Sequence, residues 1–347
     1  MHGLWKRLRY RLEWLGLTAL LKLVPLLSRK SCYQIGGWAG RLTAMCDARG
    51  RRVALSNLEA AFGNEFSPAR RDEIVRESYQ HFARTMLDLF WSPRLTRENY
   101  EGYIEFQNVE QSRADIAPSH SCVVGSFHYG NFEWISLAAG WLGFPSAITT
   151  QEFKNPRLDA FFQTLREQSG HTTVSREGAI VRLYKILRRK GRVAMLVDTT
   201  LPPHQPTVVI ECFGLKTIVT VAHAWLQSKT GVPMVPFYCE PLADGRYRAV
   251  TLPTVRHAEG ATHQEIAQAC WDAFEPVVRQ NPAPWLWMYK HWRYKPAETP
   301  RAYPVYSQPS LEFDQIAARP NYAKLDRELI QTAKAARRAS ATESVRR

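Results

Sequence analysis

The feature that most constrains the fold is the alternation of short apolar segments with longer segments of helical periodicity after residue 120. Ser121 to Phe127 is short and apolar, which predicts a buried strand. A helix is predicted next, over Asn131 to Gly140. The later segment from Arg176 to Lys190 is amphipathic and ends at Gly191. Strands that alternate with helices predict an α/β domain with a central mixed sheet flanked by helices.

The same reasoning assigns the remaining elements. Strands are predicted at Val193 to Val197, Thr207 to Cys212, Pro233 to Cys239 and Tyr247 to Leu252, and helices at Thr217 to Thr230 and Thr262 to Asn281. Thr262 and Glu265 form a capping-box pattern. A packing helix is predicted from Pro68 to Trp91, within an all-helical N-terminal region. The alternating rings of Trp285, Trp287 and Tyr289 predict a half-buried strand.

The chain divides into three parts by composition. Residues 1–30 are basic and apolar, residues 31–296 form the main domain, and residues 297–347 are a polar, basic C-terminal tail that is expected to be peripheral. Within the main domain, 31–100 is expected to be helical and 101–296 to be α/β. The net charge of the 347-residue chain is +14, and residues 1–52 contain eleven basic and two acidic residues. Residues 324–347 contain seven basic and three acidic residues, so the middle of the chain is nearly neutral. This distribution argues against a protein that reads duplex nucleic acid.

The N-terminal segment favours a membrane surface. Its densest apolar run, Trp14 to Leu27, is 14 residues long and contains Lys22 and Pro25, whereas a spanning helix needs about 20 mainly apolar residues. No small-residue cleavage site follows, so a signal peptide is disfavoured. An interfacial helix at anionic lipid head groups fits residues 1–30 best. A buried first helix with a basic flank is the alternative interpretation.

The sequence lacks the motifs that are typical of several kinds of site. The six cysteines are far apart, with no Cys-x-x-Cys and no Cys/His cluster at metal-ligand spacing. Free, mostly buried thiols in a reducing compartment are therefore expected. A P-loop, a glycine-rich dinucleotide loop and a Gly-x-Ser-x-Gly motif are absent from the sequence.

The best candidate for chemistry is the segment from Phe127 to Trp134. His128 follows a predicted buried strand, Glu133 falls in the first turn of the next helix, and Gly130 allows a tight loop between them. Ten His and 32 acidic residues give about one pair at this spacing by chance. The hypothesis that His128 and Glu133 act together therefore depends on their positions at the end of a strand and the start of a helix. A carboxylate at one imidazole nitrogen would leave the other able to accept a proton from a hydroxyl. Amides at the helix start could polarise an acyl oxygen.

These residues resemble a known family. Gly125 to Trp134, with His128, Gly130, Asn131 and Glu133, is similar to the His, four residues, Glu motif of the bacterial lipid A biosynthesis acyltransferases of the lauroyl/myristoyl type, within the glycerolipid acyltransferase superfamily. Further similarities follow in order at Arg52, Asn57, Leu58, Phe62, Asn155, Pro156, Arg166, Gly170, Arg176, Asp198, Phe213, Gly214, Pro282, Trp285, Trp287, Trp292, Lys295 and Pro296. The resemblance covers residues from about 8 to 296.

The resemblance implies an acyltransferase without metal or cofactor. A fatty acyl chain would pass from a thioester carrier, acyl carrier protein or coenzyme A, to a hydroxyl of a lipid A precursor-like acceptor. The enzyme would work at the cytoplasmic face of the bacterial inner membrane, attached to anionic lipid through the N-terminal helix. His128 would act as general base, with Glu133 holding the imidazole.

Substrate-binding residues are also implied. Arg166 or Arg176 would bind phosphate, since the planar guanidinium matches phosphate oxygens. Asp198 would orient one of these arginines, and Asn131 is a further substrate-binding candidate.

Departures from the family pattern leave the acceptor open. Thr199 stands where Gln is common, and Tyr289 where His is common. A related glycolipid or a lysophospholipid is therefore an alternative acceptor. A non-catalytic membrane-surface protein that binds lipid or a carrier is the alternative from another class. The aromatic, basic run Trp285 to Tyr294 could also stack on single-stranded nucleic acid, but its resemblance to the family segment makes nucleic acid an unexpected partner.

Overall fold

A computed structural model describes residues 2–117, 119–150, 155–175 and 178–327. The chain begins with four helices, α1 (His2–Leu23), α2 (Arg29–Cys46), α3 (Ala48–Phe62) and α4 (Pro68–Trp91). Ser67 caps α4, and Pro68 occupies its first turn, where a missing N–H has no cost. A Cβ atom at Gly40 would lie 2.4 Å from Cα of Gln80, so glycine allows α2 and α4 to approach closely. The predicted helix from Pro68 to Trp91 is confirmed.

The following part of the chain builds a sheet covered by helices. Its elements are β1 (Ile104–Gln107), α5 (Val109–Ile116), β2 (Cys122–Ser126), α6 (Phe132–Trp141), β3 (Ala147–Thr150), α7 (Pro156–Glu167), β4 (Thr172–Ser175), α8 (Ala179–Arg188), β5 (Arg192–Leu196), β6 (Thr207–Cys212), β7 (Leu215–Thr220), α9 (Ala222–Thr230), β8 (Met234–Pro241), β9 (Tyr247–Thr251), α10 (His263–Asp272), α11 (Glu275–Gln280), β10 (Tyr294–Lys295), β11 (Gln308–Pro309) and α12 (Leu311–Ala317). Seven strands form the main sheet in the order β1-β9-β8-β2-β5-β3-β4. The neighbouring strands are parallel except for β8 and β9, which are antiparallel. The predicted α/β fold with a central mixed sheet is confirmed.

The register of β2 and β5 positions the candidate site. These two strands are parallel neighbours, and Ser126 lies opposite Leu196. Two residues beyond each of these positions come His128 and Asp198. Because parallel strands end at the same edge, both side chains emerge together at the carboxyl edge, where open α/β sheets bind their ligands.

One predicted helix is in part a strand. The sequence predicts a helix over Thr217 to Thr230, but β7 pairs with β6 in an antiparallel hairpin and only α9 is helical. The β-branched run from Thr217 to Thr220 favours the extended conformation. Gly231, with φ of 68°, ends α9 as predicted.

Another predicted helix is divided into α10 and α11. The capping box of Thr262 and Glu265 starts α10 as expected. Pro276 lies in the first turn of α11, and its ring and missing N–H prevent α10 from continuing through this position.

The prediction of a half-buried strand from Trp285 to Tyr289 is wrong. The segment is irregular before β10, with an isolated bridge between Trp285 and Tyr129. Trp285, Trp287 and Trp292 are all at most 1% exposed. Their indoles surround the ring of Phe213, so none of them faces solvent as one side of a half-buried strand would.

The segment that follows residue 296 packs on the main domain through residue 327. The Tyr306 hydroxyl donates to Asn57 of α3, and Phe313 of α12 is fully buried. Trp225 donates its indole N–H to Asp326 at 2.8 Å. The described part of the predicted peripheral tail is thus attached to the fold, and residues 328–347 lie outside the described residues.

The first helices leave apolar surface uncovered. In α1, Leu12, Leu15 and Leu23 are each about 60% exposed, and the helix contacts α4 and α7. Trp38 of α2 is 70% exposed. None of the helices in the described ranges has both the length and the apolar character that crossing a bilayer requires.

Candidate active site

His128 and Asp198 form a hydrogen-bonded pair at the carboxyl edge of the sheet. Nδ1 of His128 lies 2.9 Å from Oδ1 of Asp198, and the His128 backbone N–H donates to Oδ2 at 3.0 Å. Trp285 adds a third donor, with its Nε1 at 3.1 Å from Oδ2. Ring, backbone and indole therefore fix the carboxylate from three directions.

The charges around His128 and Asp198 favour His128 as a proton acceptor. Burial alone would lower the pKa of His128, but the charge and hydrogen bond of Asp198, with the charge of Glu133, raise it above its ordinary value. Burial would raise the pKa of Asp198, but His128 outweighs this effect and lowers it to about 2. With Nδ1 donating to the carboxylate, Nε2 carries the lone pair that can accept a proton. The ring is 22% exposed, so a bound molecule can reach it.

Glu133 pairs with Arg166, not with the His128 ring. Nε of Arg166 lies 3.1 Å from Oε2 of Glu133, and Nη2 lies 2.7 Å from Oε1. The two carboxylates therefore have each other's expected partners. Glu133 is expected from the sequence to contact His128 but contacts an arginine, and Asp198 is expected to contact an arginine but contacts His128. Glu133 lies in the first turn of α6, which contacts α7 and its Arg166, whereas Asp198 follows the strand next to that of His128. A catalytic role for Glu133 stays a prediction.

Asn131 lies behind the site and is completely buried. Its side chain accepts from the backbone N–H of Trp134 at 3.0 Å, as the N-cap of α6, and donates to Oδ2 of Asp88 at 2.9 Å. Asp88 also accepts from Arg29 and, at 2.6 Å, from the hydroxyl of Tyr247. This geometry positions the loop, and direct substrate contact by Asn131 stays a prediction.

The loop between β2 and α6 is held from the C-terminal side of the chain. Gly130 N–H donates to the Pro284 carbonyl at 3.0 Å, and Leu286 N–H donates to the His128 carbonyl at 3.0 Å. Gly130 has φ of 55°, and a Cβ atom there would lie 2.2 Å from the carbonyl oxygen of Cys239. Glycine is required here, as the tight loop in the sequence predicts.

Sequence reasoning missed Asp88 and its partner Arg29. Asp88 occupies a core-facing position of α4 among apolar residues, and it is 1% exposed. A charged residue on the apolar stripe of an amphipathic helix is the signal that could have identified it, because buried carboxylates need partners.

An apolar cavity of about 340 Å³ begins at these groups. Its lining includes His128, Glu133 and Arg166 near the start of α6, and Leu142 and Phe144 just beyond the end of that helix. Between them the cavity runs along α6 and over the face of the sheet. Apolar side chains contribute much of its wall, among them Val124, Ile135, Ala139, Leu196, Val235 and Phe237.

The other expectations on binding groups have different outcomes. Arg176 lies outside the described residues, so its predicted phosphate contact stays a prediction. Within the described ranges, no cluster of three or more His, Cys, Asp or Glu residues is arranged to hold a metal ion. The six cysteines are free, and all except Cys46 are buried.

Comparison with known proteins identifies the family. The sequence model described as bacterial lipid A biosynthesis acyltransferase matches residues 3–294, most of the chain. A search of curated proteins found no matching sequence.

Proposed function

The chain belongs to the bacterial lipid A biosynthesis acyltransferases, and we propose that it transfers a fatty acyl chain from an acyl thioester to a hydroxyl of a lipid A precursor or related glycolipid. Membership makes the chain an acyltransferase; the donor, acceptor and residue roles are proposed. The observation that carries the proposal is the His128–Asp198 pair beside an apolar cavity whose wall includes His128.

In the proposed reaction, His128 acts as the general base. Its Nε2 removes the proton of the acceptor hydroxyl as the oxygen attacks the thioester carbonyl. Asp198 stabilises the imidazolium that forms, which its hydrogen bond to Nδ1 favours. When the tetrahedral intermediate collapses, the carbon–sulfur bond breaks and the imidazolium returns the proton to the leaving thiolate. The products are an ester and a free thiol.

Two kinds of group near His128 can stabilise a negative charge on the substrates. The first backbone N–H groups of α6, at Phe132 and Glu133, have no partner within the helix and can stabilise the developing oxyanion. Arg166 uses Nε and Nη2 for Glu133, and its Nη1 can bind a phosphate oxygen of the donor or the acceptor. Glu133 then holds Arg166 in place and adds negative charge near the imidazole.

The cavity is proposed to hold the acyl chain. An apolar wall favours an alkyl chain because each methylene removed from water contributes about 0.8 kcal/mol. The volume of about 340 Å³ lies within the range of small-molecule sites. With the chain inside, the thioester carbonyl lies at the His128 end.

Attachment to the cytoplasmic face of the inner membrane is proposed for the N-terminal helix. The exposed leucines of α1 and basic residues such as Arg9, Arg11 and Lys22 support this role. Basic surface suits both an acidic acyl carrier protein and the phosphates of coenzyme A, so either is a possible donor. Removal of residues 1–23, which comprise α1 and leave the Arg29–Asp88 pair in place, should release the protein from inner-membrane vesicles. Unchanged sedimentation with vesicles would argue against this attachment.

Mass spectrometry of membrane lipids tests the proposed reaction. Cells with the intact protein should contain a lipid class heavier by one acyl group, and His128→Ala cells should lack it. His257→Ala, a change far from the carboxyl edge, is the matched control and should behave as the intact protein. The identity of the heavier lipid distinguishes a lipid A precursor from a lysophospholipid or another glycolipid. No shift in any lipid with folded, membrane-bound protein would favour a non-catalytic lipid- or carrier-binding role.

A further inference from the structure

The turn that connects α6 to β3 lines the cavity at the end of α6 that is farther from His128 along the chain. Leu142 and Phe144 line this end. The turn is fixed to the helix, because Leu142 N–H donates to the Ala138 carbonyl and Phe144 N–H to the Ala139 carbonyl, both at 2.9 Å. Gly143 takes φ of 96°, which lets the chain reverse within three residues. The wall at this end is therefore built of ordered backbone.

Two arginines from different elements contact this turn. The guanidinium carbon of Arg113, on α5, lies 4.7 Å from the ring centroid of Phe144, and that of Arg192, at the start of β5, lies 5.2 Å from it. Arg113 also donates to the Leu142 carbonyl at 2.6 Å, and Arg192 donates to the Gly143 carbonyl at 3.2 Å. Cation–ring contacts and backbone hydrogen bonds thus fix the same three-residue turn.

Phe144 is part of the cavity wall. Its ring is half-buried and packs against Ile116, Cys122 and Val235. His128 lies before α6 and Phe144 after it, so the distance between the two ends is set by this ten-residue helix, about 15 Å along its axis. A straight molecule anchored at His128 reaches Phe144 after a fixed length.

We propose that Phe144 sets the longest acyl chain that the enzyme accepts, with Arg113 and Arg192 as positioning residues. This inference rests on the proposed function. A saturated chain that exceeds the cavity must displace the ring, which breaks two cation–ring contacts and opens an apolar cluster to water. A shorter chain leaves part of the apolar wall without contacts. The preferred chain length therefore follows from the position of one ring.

Binding and transfer measured with graded chains test the proposal. Saturated fatty acids of increasing length displace a fluorescent fatty acid from the purified full chain, and acyl-coenzyme A and acyl carrier protein thioesters of the same lengths serve in transfer assays. Phe144→Ala should raise the preference for chains longer than the wild-type limit by roughly tenfold or more, because a change of one methylene in a tight pocket already has an effect of this size. Phe82→Ala, which removes a ring from the surface of α4, is the matched control and should keep the wild-type profile.

Additional variants keep the test decisive. Phe144→Leu should shift the profile in the same direction by less, and it serves if the alanine variant does not fold. The double variant R113Q/R192Q retains the ring but should broaden the profile toward longer chains, which loss of general stability does not explain.

The outcomes separate this inference from the proposed function. Identical length profiles in the wild type and the Phe144 variants would overturn it, as would a wild type that binds no alkyl chain. A length limit that moves with Phe144, in a protein that acylates no lipid, would support the inference and refute the proposed acyl transfer.

Discussion

Two buried carboxylates lie on either side of the loop between β2 and α6, and their partners differ. Asp198 is 4% exposed and holds the ring and backbone of His128. Asp88 is 1% exposed and contacts Arg29, Asn131 and the Tyr247 hydroxyl. Burial raises the pKa of Asp88 despite these donors, whereas His128 lowers the pKa of Asp198 to about 2 against the effect of burial.

The difference separates a chemical role from an architectural one. Asp198 is paired with a side chain that can gain and lose a proton near neutral pH, so its charge is coupled to proton transfer. Asp88 is paired with a guanidinium whose charge is permanent, so it can position the loop without changing state. Replacement of each carboxylate by its amide should therefore affect different measurements.

Asp198→Asn should produce the largest effect. The neutral amide no longer stabilises the imidazolium of His128, and kcat should fall by about a thousandfold, within the range of general-base contributions. Transfer from a thioester donor, followed by release of free thiol, measures this loss. The control is Asp244→Asn, a carboxylate 53% exposed in a surface turn, which should retain the wild-type rate. A fully active Asp198→Asn enzyme would contradict the chemical role.

Asp88→Asn should act mainly on stability. It leaves the guanidinium of Arg29, 16% exposed, without its counter-charge, and the free energy of unfolding should fall by about 3 kcal/mol. Urea denaturation measures the change. Asp72→Asn, in the exposed pair with Arg51, should change it by less than about 1 kcal/mol. Equal effects of the two variants would show that the buried pair has no architectural role.

Glu133→Gln should have an intermediate effect, which is measured by the pH dependence of kcat/KM. His128 must be neutral to accept a proton, and its pKa lies above the ordinary value of 6.5, so kcat/KM should rise with pH through a value above 6.5. Removal of the Glu133 charge lowers the pKa of His128 and should move this acidic limb to lower pH. Glu259→Gln, on the surface, should leave the limb in place. An unmoved limb in both variants would show that Glu133 does not act on His128.

Tyr247→Phe should have the smallest effect. It removes one of the donors to Asp88 and leaves Arg29 and Asn131 in place, so the unfolding free energy should fall by about 1 kcal/mol. Thermal unfolding measures this change, and the transfer rate should stay near that of the wild type. Tyr303→Phe, which loses a hydrogen bond at the surface, should have a smaller effect on stability. A large loss of transfer in Tyr247→Phe would mean that the two carboxylates are coupled.

The sequence predicts the α/β fold because its strands and helices have clear periodicity. It identifies His128 because this residue follows a predicted strand, and it identifies Asp198 through the resemblance to the family. It does not predict their contact, because chain order does not reveal that β5 inserts between β2 and β3 in the sheet. The short separation of His128 and Glu133 suggests a local pair, but the start of α6 directs Glu133 to Arg166.

Long-range packing explains the other differences. The indoles of Trp285 and Trp287 are buried around Phe213, a contact that period-two alternation does not predict. Asp88 and Arg29 are separated by 59 residues, and neither belongs to a recognisable motif. Such pairs depend on how α2 and α4 pack against each other, which residue patterns alone do not specify.

The attachment of the His128 loop to Pro284, Trp285 and Leu286 has a consequence for synthesis of the chain. His128 and Asp198 leave the ribosome well before the segment that donates to both of them and accepts from the Gly130 N–H. The growing polypeptide can therefore form most of its sheet while its base is still incompletely held. The site becomes competent for chemistry only after Trp285 and the tryptophans that follow it have been synthesised. A chain truncated before them would be folded in part and inactive.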